Sequence, residues 1–526
     1  MKASDLLVAC LEREGVEHVF GLPGEEMEDL LFSLRDSEIT FVPVRHEQGA
    51  AFMADVHGRL TGEAGVCLST LGPGATNLLT GIADAHLDKS PLVAITAQGG
   101  LERLHQESHQ AIDVVRTFGS VTKWNTQLDS PEIVHESVRK AFKVAEYEKP
   151  GATHLELPED VASEETAARP MEHRNRVPVA APNPDVLERV KSVLDEARKP
   201  ILVGGNGVVR THATARLREF VDATDVPVVT TYMGKGAISD ADDRSLMTLD
   251  SGASDEPTEA IAESDLVVTV GYDIAEHDPA DWNPGQTRLV HVDSEPAEVY
   301  EAYDPDIEVV ADVGRTLRHL TEWCQDVDPS FESEWYADFR DRIAIEIDQE
   351  PADESPFTVR TVLPVLREVM EADDVLISDV GSHKMAIAQN FPTYEPNTCI
   401  ISNGFASMGI AVPGGVAADL TTDSRIVAAT GDGGFLMNAA EIETATRMGC
   451  EFTILLFNDD DYGLISEKQI DHTGEAFGTE LSNPDFVEFA ESFGVESHRP
   501  ESARELRTAL QTAVEGGLSL VEIPIE

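Results

Sequence analysis

Residues 425–461 read RIVAATGDGGFLMNAAEIETATRMGCEFTILLFNDDD, and the fold is decided in this stretch. Two short apolar runs, 425–430 and 452–457, both end on acidic turns: Gly431-Asp432-Gly433-Gly434 and Asn458-Asp459-Asp460-Asp461. A stretch with helical spacing lies between them, so the runs read as parallel strands with the acidic turns at their carboxyl ends. Open α/β sheets bind ligands there. Gly433 and Gly434 let backbone N–H groups approach a phosphate at the start of the next helix, and Asp432 with Asp459 can hold a hard cation that bridges phosphate oxygens. Either turn alone is commonplace; together they read as a Mg²⁺-diphosphate site.

The same pattern runs outward through the chain. Apolar runs bounded by Gly, Pro or Asp recur at 65–69, 91–97, 200–204, 265–271 and 374–380, with amphipathic stretches between them. The fold class is α/β, repeated. At 526 residues the chain is too long for one core and divides into about three domains. Polar, Pro-rich residues 161–185 make one linker and 345–357 a second break. The expected organisation is three doubly wound parallel-sheet domains at 1–165, 185–345 and 355–526.

Composition excludes several function classes. With 97 Asp+Glu against 39 Lys+Arg, the net charge is -58, a surface that repels nucleic acid and anionic membranes. The acid is spread along the whole chain, as on proteins of extreme halophiles, where molar salt shrinks the Debye length to about 3 Å and screens self-repulsion. Five scattered Cys without metal spacing fit a reducing cytoplasm. No apolar run reaches the ~18 residues of a membrane span. A soluble cytoplasmic protein is expected.

Further motifs stand near the N-terminus: Phe20-Gly21-Leu22-Pro23-Gly24, then Arg45-His46-Glu47-Gln48, then Leu71-Gly72-Pro73-Gly74-Ala75-Thr76-Asn77. With the acidic turns of the third segment, these resemble the thiamine diphosphate (ThDP) enzymes, in particular the acetolactate synthase branch, in the family's order across nearly the whole chain. The resemblance implies a pyrimidine-binding first domain, a middle domain and a diphosphate-binding third domain. It makes Glu47 the carboxylate that hydrogen-bonds the pyrimidine ring and promotes proton loss from the cofactor's reactive carbon. Gly24 falls in the same domain's cofactor contacts. Gly381, Ser382 and His383 match the loop that contacts the diphosphate, together with Gly431, Asp432, Gly433 and Gly434. Within Ser402-Asn403-Gly404-Phe405-Ala406-Ser407-Met408-Gly409, Met408 matches the side chain wedged between the cofactor's rings, and the Ala406 carbonyl falls near the exocyclic amine. Asp432, Asp459 and the Asp461 carbonyl match the metal ligands.

The chain also departs from the pattern. Asp459 stands where Asn is more usual, and Glu25-Glu26 follows Gly24. His109 stands where biosynthetic synthases have Phe, while Gln110 is kept; both are candidates to hydrogen-bond a 2-oxo acid. Against the family's pattern, the C-terminal arm of many relatives is expected to be missing. In the middle segment, Val203-Gly204-Gly205-Asn206-Gly207 is an incomplete dinucleotide fingerprint. The stretch that carries an FAD-contacting Arg in related enzymes reads Gly271-Tyr272-Asp273-Ile274-Ala275-Glu276-His277-Asp278-Pro279. FAD is therefore expected to be absent and the middle domain structural.

The resemblance implies condensation of two pyruvates, or of pyruvate and another 2-oxo acid, to 2-acetolactate. The active sites are expected at a subunit interface of a homodimer or tetramer, with a small regulatory subunit as a possible partner. Three alternatives stay open: another ThDP-dependent decarboxylase, lyase or pyruvate oxidase-like enzyme; a catalytically silent homologue; and an NAD-dependent dehydrogenase.

Overall fold

A computed structural model describes residues 1–172, 175–249 and 256–525. It contains three six-stranded, all-parallel sheets flanked by helices. The first is built from β1 (His18–Gly21), β2 (Thr40–Pro43), β3 (Gly65–Ser69), β4 (Leu92–Gln98), β5 (Trp124–Gln127) and β6 (Ala152–Pro158). The second holds β7 (Pro200–Gly204), β8 (Val228–Thr230), β9 (Ser245–Thr248), β10 (Leu266–Val270), β11 (Leu289–Asp293) and β12 (Ile307–Val310). The third holds β13 (Val375–Ser378), β14 (Cys399–Ile401), β15 (Ile426–Gly431), β16 (Thr453–Asn458), β17 (Glu496–His498) and β18 (Ser519–Pro524).

Every apolar run picked out in the sequence is one of these strands. Strands β3, β4, β6, β7, β10 and β11 are buried at every position, because helices cover both faces and leave no side to solvent. The outer sheets share one topology: β2-β1-β3-β4-β6-β5 in the first repeats as β14-β13-β15-β16-β18-β17 in the third. The middle sheet runs β9-β8-β7-β10-β11-β12, the order of dinucleotide-binding folds. There, however, Gly205 N donates to Val270 O at 2.9 Å and Gly207 N to Gly271 O at 2.8 Å. Both amides are thus bonded to the end of the neighbouring strand and its turn.

The first and third domains share one apolar core. Helix Glu47–Thr61 packs against helix Ala411–Thr421 through small side chains, among them Ala50, Ala54, Ala411 and Ala418, and a Cβ on Gly414 would touch Val56 at 3.0 Å. Short side chains let the helices approach closely, so the two outer domains of one chain are held as a unit. Among the described residues, no helix is long and apolar enough to cross a membrane.

Candidate active site

The third sheet reverses its winding between β13 and β15, and a cavity of about 250 Å³ opens at the carboxyl ends of these strands. Ligands of doubly wound folds bind at such a switch point. Gly381, Ser382 and His383, at the start of helix Ser382–Asn390, line one side. Gly431, Asp432, Gly433 and Gly434 line the next, with Asp459 and Asp461 after β16 and with Ala406 and Met408 on the loop between β14 and helix Ala411–Thr421. The third domain thus brings eleven of the sequence-predicted residues to one place.

Close packing explains the glycines. A Cβ on Gly434 would lie 3.1 Å from the Asp379 carboxylate, and one on Gly433 would lie 2.6 Å from the Tyr462 ring. The helix begins at Asp432 itself, one residue earlier than the glycine pair, so Asp432 sits where a helix dipole favours a negative group.

Two carboxylates meet beside that helix start. Burial pushes Asp432 up to about 6; the hydrogen bond from Asn483 at 2.6 Å opposes this, and the neighbouring Asp459 pushes the same way as burial. Asp459 is raised as well, chiefly by burial. A buried carboxylate pair is strained as two charges and is relieved by a shared proton or a bound cation. Asp461 adds a buried Oδ1 with no hydrogen-bond partner. Burial also pushes His383 down to about 4, so its imidazole is neutral at pH 7, with Nε2 buried and unpartnered. Among the described residues, no three His, Cys, Asp or Glu side chains form a ready-made metal cluster. The donor set therefore suits a cation that takes some of its oxygens from backbone or ligand.

Asp379, at the end of β13, was not singled out in the sequence and organises the cavity. Its Oδ1 accepts from Val380 N at 2.7 Å and from Gly409 N at 2.8 Å, while Oδ2 accepts from Thr430 Oγ1 at 3.2 Å. One carboxylate thereby ties the loop after β13, the end of β15 and the loop bearing Met408. Burial lifts it to about 6 against those hydrogen bonds. Asn483 was also missed; besides Asp432 it donates to Asp460 at 2.8 Å. Its only sequence signal is a Ser-Asn-Pro turn.

The remaining predicted residues sit on the first domain. Glu47 opens helix Glu47–Thr61 and is 5% exposed; its Oε2 accepts from Asn77 Nδ2 at 2.9 Å. Asn77 belongs to the Gly-Pro-Gly motif but was assigned no role. Gly24 packs so tightly on Thr70 that a Cβ would come within 2.4 Å of it. His109 and Gln110 are exposed, and the Gln110 backbone presses on Gly72, where a Cβ would meet its carbonyl at 2.2 Å. These residues form a second cluster, at the carboxyl ends of the first sheet. None of them lines the third-domain cavity. From behind, Glu441 of the third domain accepts Arg45 N and His46 N at 3.0 Å each and so holds the entry to the Glu47 helix.

Comparison with known proteins agrees with this layout. Residues 1–117 match the N-terminal TPP binding domain of thiamine pyrophosphate enzymes, 187–320 their central domain and 379–523 their C-terminal TPP binding domain. The chain is 31% identical to an acetolactate synthase of Bacillus subtilis, over 100% of the chain and 93% of that protein. It is 32% identical to a catabolic acetolactate synthase of Raoultella terrigena, over 99% and 95%. A probable acetolactate synthase large subunit of Methanocaldococcus jannaschii is 31% identical, over 98% and 90%. Three parallel sheets, a cavity at the switch point of the third and family matches along all three segments lead to one identification: the chain belongs to the thiamine pyrophosphate enzymes and is a ThDP-dependent enzyme similar to the acetolactate synthases.

Proposed function

We propose that this enzyme is a Mg²⁺-dependent carboligase that condenses two pyruvates, or pyruvate and another 2-oxo acid, to 2-acetolactate with loss of CO₂. The observation that carries the reading is the buried Asp432–Asp459 pair at a helix start, in a cavity shared with His383, Ala406 and Met408. The reaction itself is suggested by relatives that are acetolactate synthases along their full length. ThDP, when bound, supplies a carbon that forms and stabilises a carbanion. The chain's residues do the rest. Asp432, Asp459 and the Asp461 carbonyl would hold Mg²⁺, and the amides of Gly433 and Gly434 would neutralise phosphate oxygens. Met408, which lines the cavity, would pack against the cofactor's rings. Glu47 would exchange a proton with the pyrimidine ring, and His109 and Gln110 would hydrogen-bond the 2-oxo acid.

Because Glu47 lies apart from the cavity in its own chain, the smallest active unit is a dimer in which each Glu47 faces the partner's diphosphate half. Exposed Phe405, Leu436, Met437 and Ile465 around the third-domain site fit a face that another chain covers. The middle domain is structural and FAD-free. Asp273, in the stretch where relatives carry the FAD-contacting Arg, is paired with Lys149 at 2.9 Å and with Arg210.

A second reading keeps the site and changes only the acceptor, giving another ThDP-dependent 2-oxo acid decarboxylase, lyase or oxidase. Likeness at 30% identity to a putative thiamine pyrophosphate-containing protein of Bacillus subtilis favours keeping it. The test is incubation of the purified protein with ThDP, Mg²⁺ and pyruvate in molar KCl, with products identified by NMR. Acetolactate is expected; acetaldehyde or acetate as the sole product would move the second reading ahead.

A further inference from the structure

The loop that carries Ala406 and Met408 is anchored by charged groups of the first domain. Arg59, only 7% exposed, donates to Asp55 at 2.9 Å, Asp84 at 3.2 Å and Asp88 at 2.6 Å, and the three carboxylates are fully buried. Its Nη1 donates to Ile401 O at 2.9 Å, at the end of β14. The carboxylates then reach the residues that follow. Asp84 Oδ1 accepts from Ser402 Oγ at 2.8 Å and Ser407 N at 3.2 Å. Asp88 accepts from Asn403 N at 3.2 Å and from Gly404 N. A Cβ on Gly404 would come within 2.6 Å of the Asp88 carboxylate, so the approach is as close as backbone allows.

The other end of the loop is equally fixed. Gly409 N donates to Asp379 and Gly409 O accepts from Asn438 Nδ2 at 2.9 Å. Between the anchors, Ala406 is held at φ +54, in the left-handed region that a non-glycine residue adopts only under surrounding constraint. A packed loop of this kind, pinned at both ends by buried carboxylates, has one arrangement and not several.

We infer that Asp84 and Asp88, gathered by Arg59, are positioning residues: they set the Ala406 carbonyl and the Met408 side chain against the cofactor's ring half. The inference rests on the ThDP reading of the cavity. It makes the first domain serve the site of its own chain through this anchor, while the Glu47 cluster serves that of the partner.

Ser402→Ala removes one hydrogen bond to Asp84 and leaves the charge cluster intact, whereas Ser402→Thr keeps the hydroxyl. Asp84→Asn perturbs the anchor directly. ThDP affinity is measured by fluorescence titration in the presence of Mg²⁺, and inorganic pyrophosphate serves as a probe that engages only the diphosphate half. Ser402→Ala is expected to melt near wild type and bind pyrophosphate unchanged, while ThDP affinity and kcat fall roughly tenfold at unchanged KM for pyruvate. Ser402→Thr should restore both. Asp84→Asn, if it folds, should exceed the Ser402→Ala loss in the same pattern. Wild-type ThDP affinity and kcat in Ser402→Ala would overturn the inference. Equal weakening of pyrophosphate and ThDP would also overturn it, since that marks general loosening. Wild-type protein that binds pyrophosphate but no ThDP would instead remove the cofactor reading beneath it.

Discussion

Glu47→Gln separates proton exchange from everything else this residue does. Glu47 is 5% exposed and its Oε2 accepts one hydrogen bond, from Asn77 at 2.9 Å. Glutamine has the same size, and its amide oxygen can take that bond. The exchange alters this one hydrogen bond and should cost about 1 kcal/mol of stability. The amide cannot exchange a proton with the pyrimidine ring, and loss of such help slows a reaction on the order of 10²–10⁴-fold. By transition-state arithmetic that is about 3–5.5 kcal/mol of barrier, several times the stability change. The assay follows C2 proton exchange of bound ThDP by NMR, with turnover at saturating cofactor and a melting curve. Slow exchange, low kcat and near-normal melting are expected together. Wild-type exchange in a variant shown to bind ThDP would refute the role given to Glu47.

Other variants and conditions give distinct signatures. Asp432→Ala should first weaken Mg²⁺ and ThDP binding, with activity partly restored by excess of both; undiminished affinity in a titration would argue against a metal ligand. Glu276 is pushed up to about 8 by burial and by Asp273, from an ordinary value of 4.5. A carboxyl that holds its proton more tightly when folded stabilises the protein at low pH, and that stability is lost as pH rises from about 4.5 through 8. The melting temperature should therefore fall between pH 5.5 and 8.5, and Glu276→Gln should flatten the slope; parallel curves would contradict it. At net charge -58, withdrawal of salt should lower the melting temperature or dissociate the protein, which equal melting in dilute buffer and molar KCl would disprove. Purified protein should be colourless, and a stoichiometric yellow cofactor would reverse the FAD expectation.

The acidic turns of the third domain were legible because strand, turn and ligand type coincide within one short stretch. Asp379 was not, since a lone Asp between a strand and a Gly turn looks like any strand end until its partners are known. Asn483 meets Asp432 from 51 positions away, a pairing no local pattern carries. Asp84 and Asp88 lie on and just after helix Pro73–Leu87 and resemble solvated helix carboxylates; only their complete burial against Arg59 separates them from the acid-rich surface. His109 and Gln110 followed from the resemblance alone; both are exposed, and no local pattern sets an exposed His or Gln apart from the rest of the surface. In the middle domain the Gly-rich turn at 203–207 invited a dinucleotide reading that its incomplete fingerprint could not carry, and the strand order of such folds became visible only in the structure.

The backbone contact in that middle sheet has a consequence for what this chain can become. A Cβ on Gly205 would lie 2.4 Å from Gly271 O, and one on Gly207 would lie 2.5 Å from Gly271 Cα. The three positions are thus mutually dependent: none can acquire a side chain unless the turns separate, and separation would strip two amides of their carbonyl partners. These glycines are required by the contact between the two turns. A side chain at any of the three would require coordinated change on both turns, so single substitutions there lead to instability.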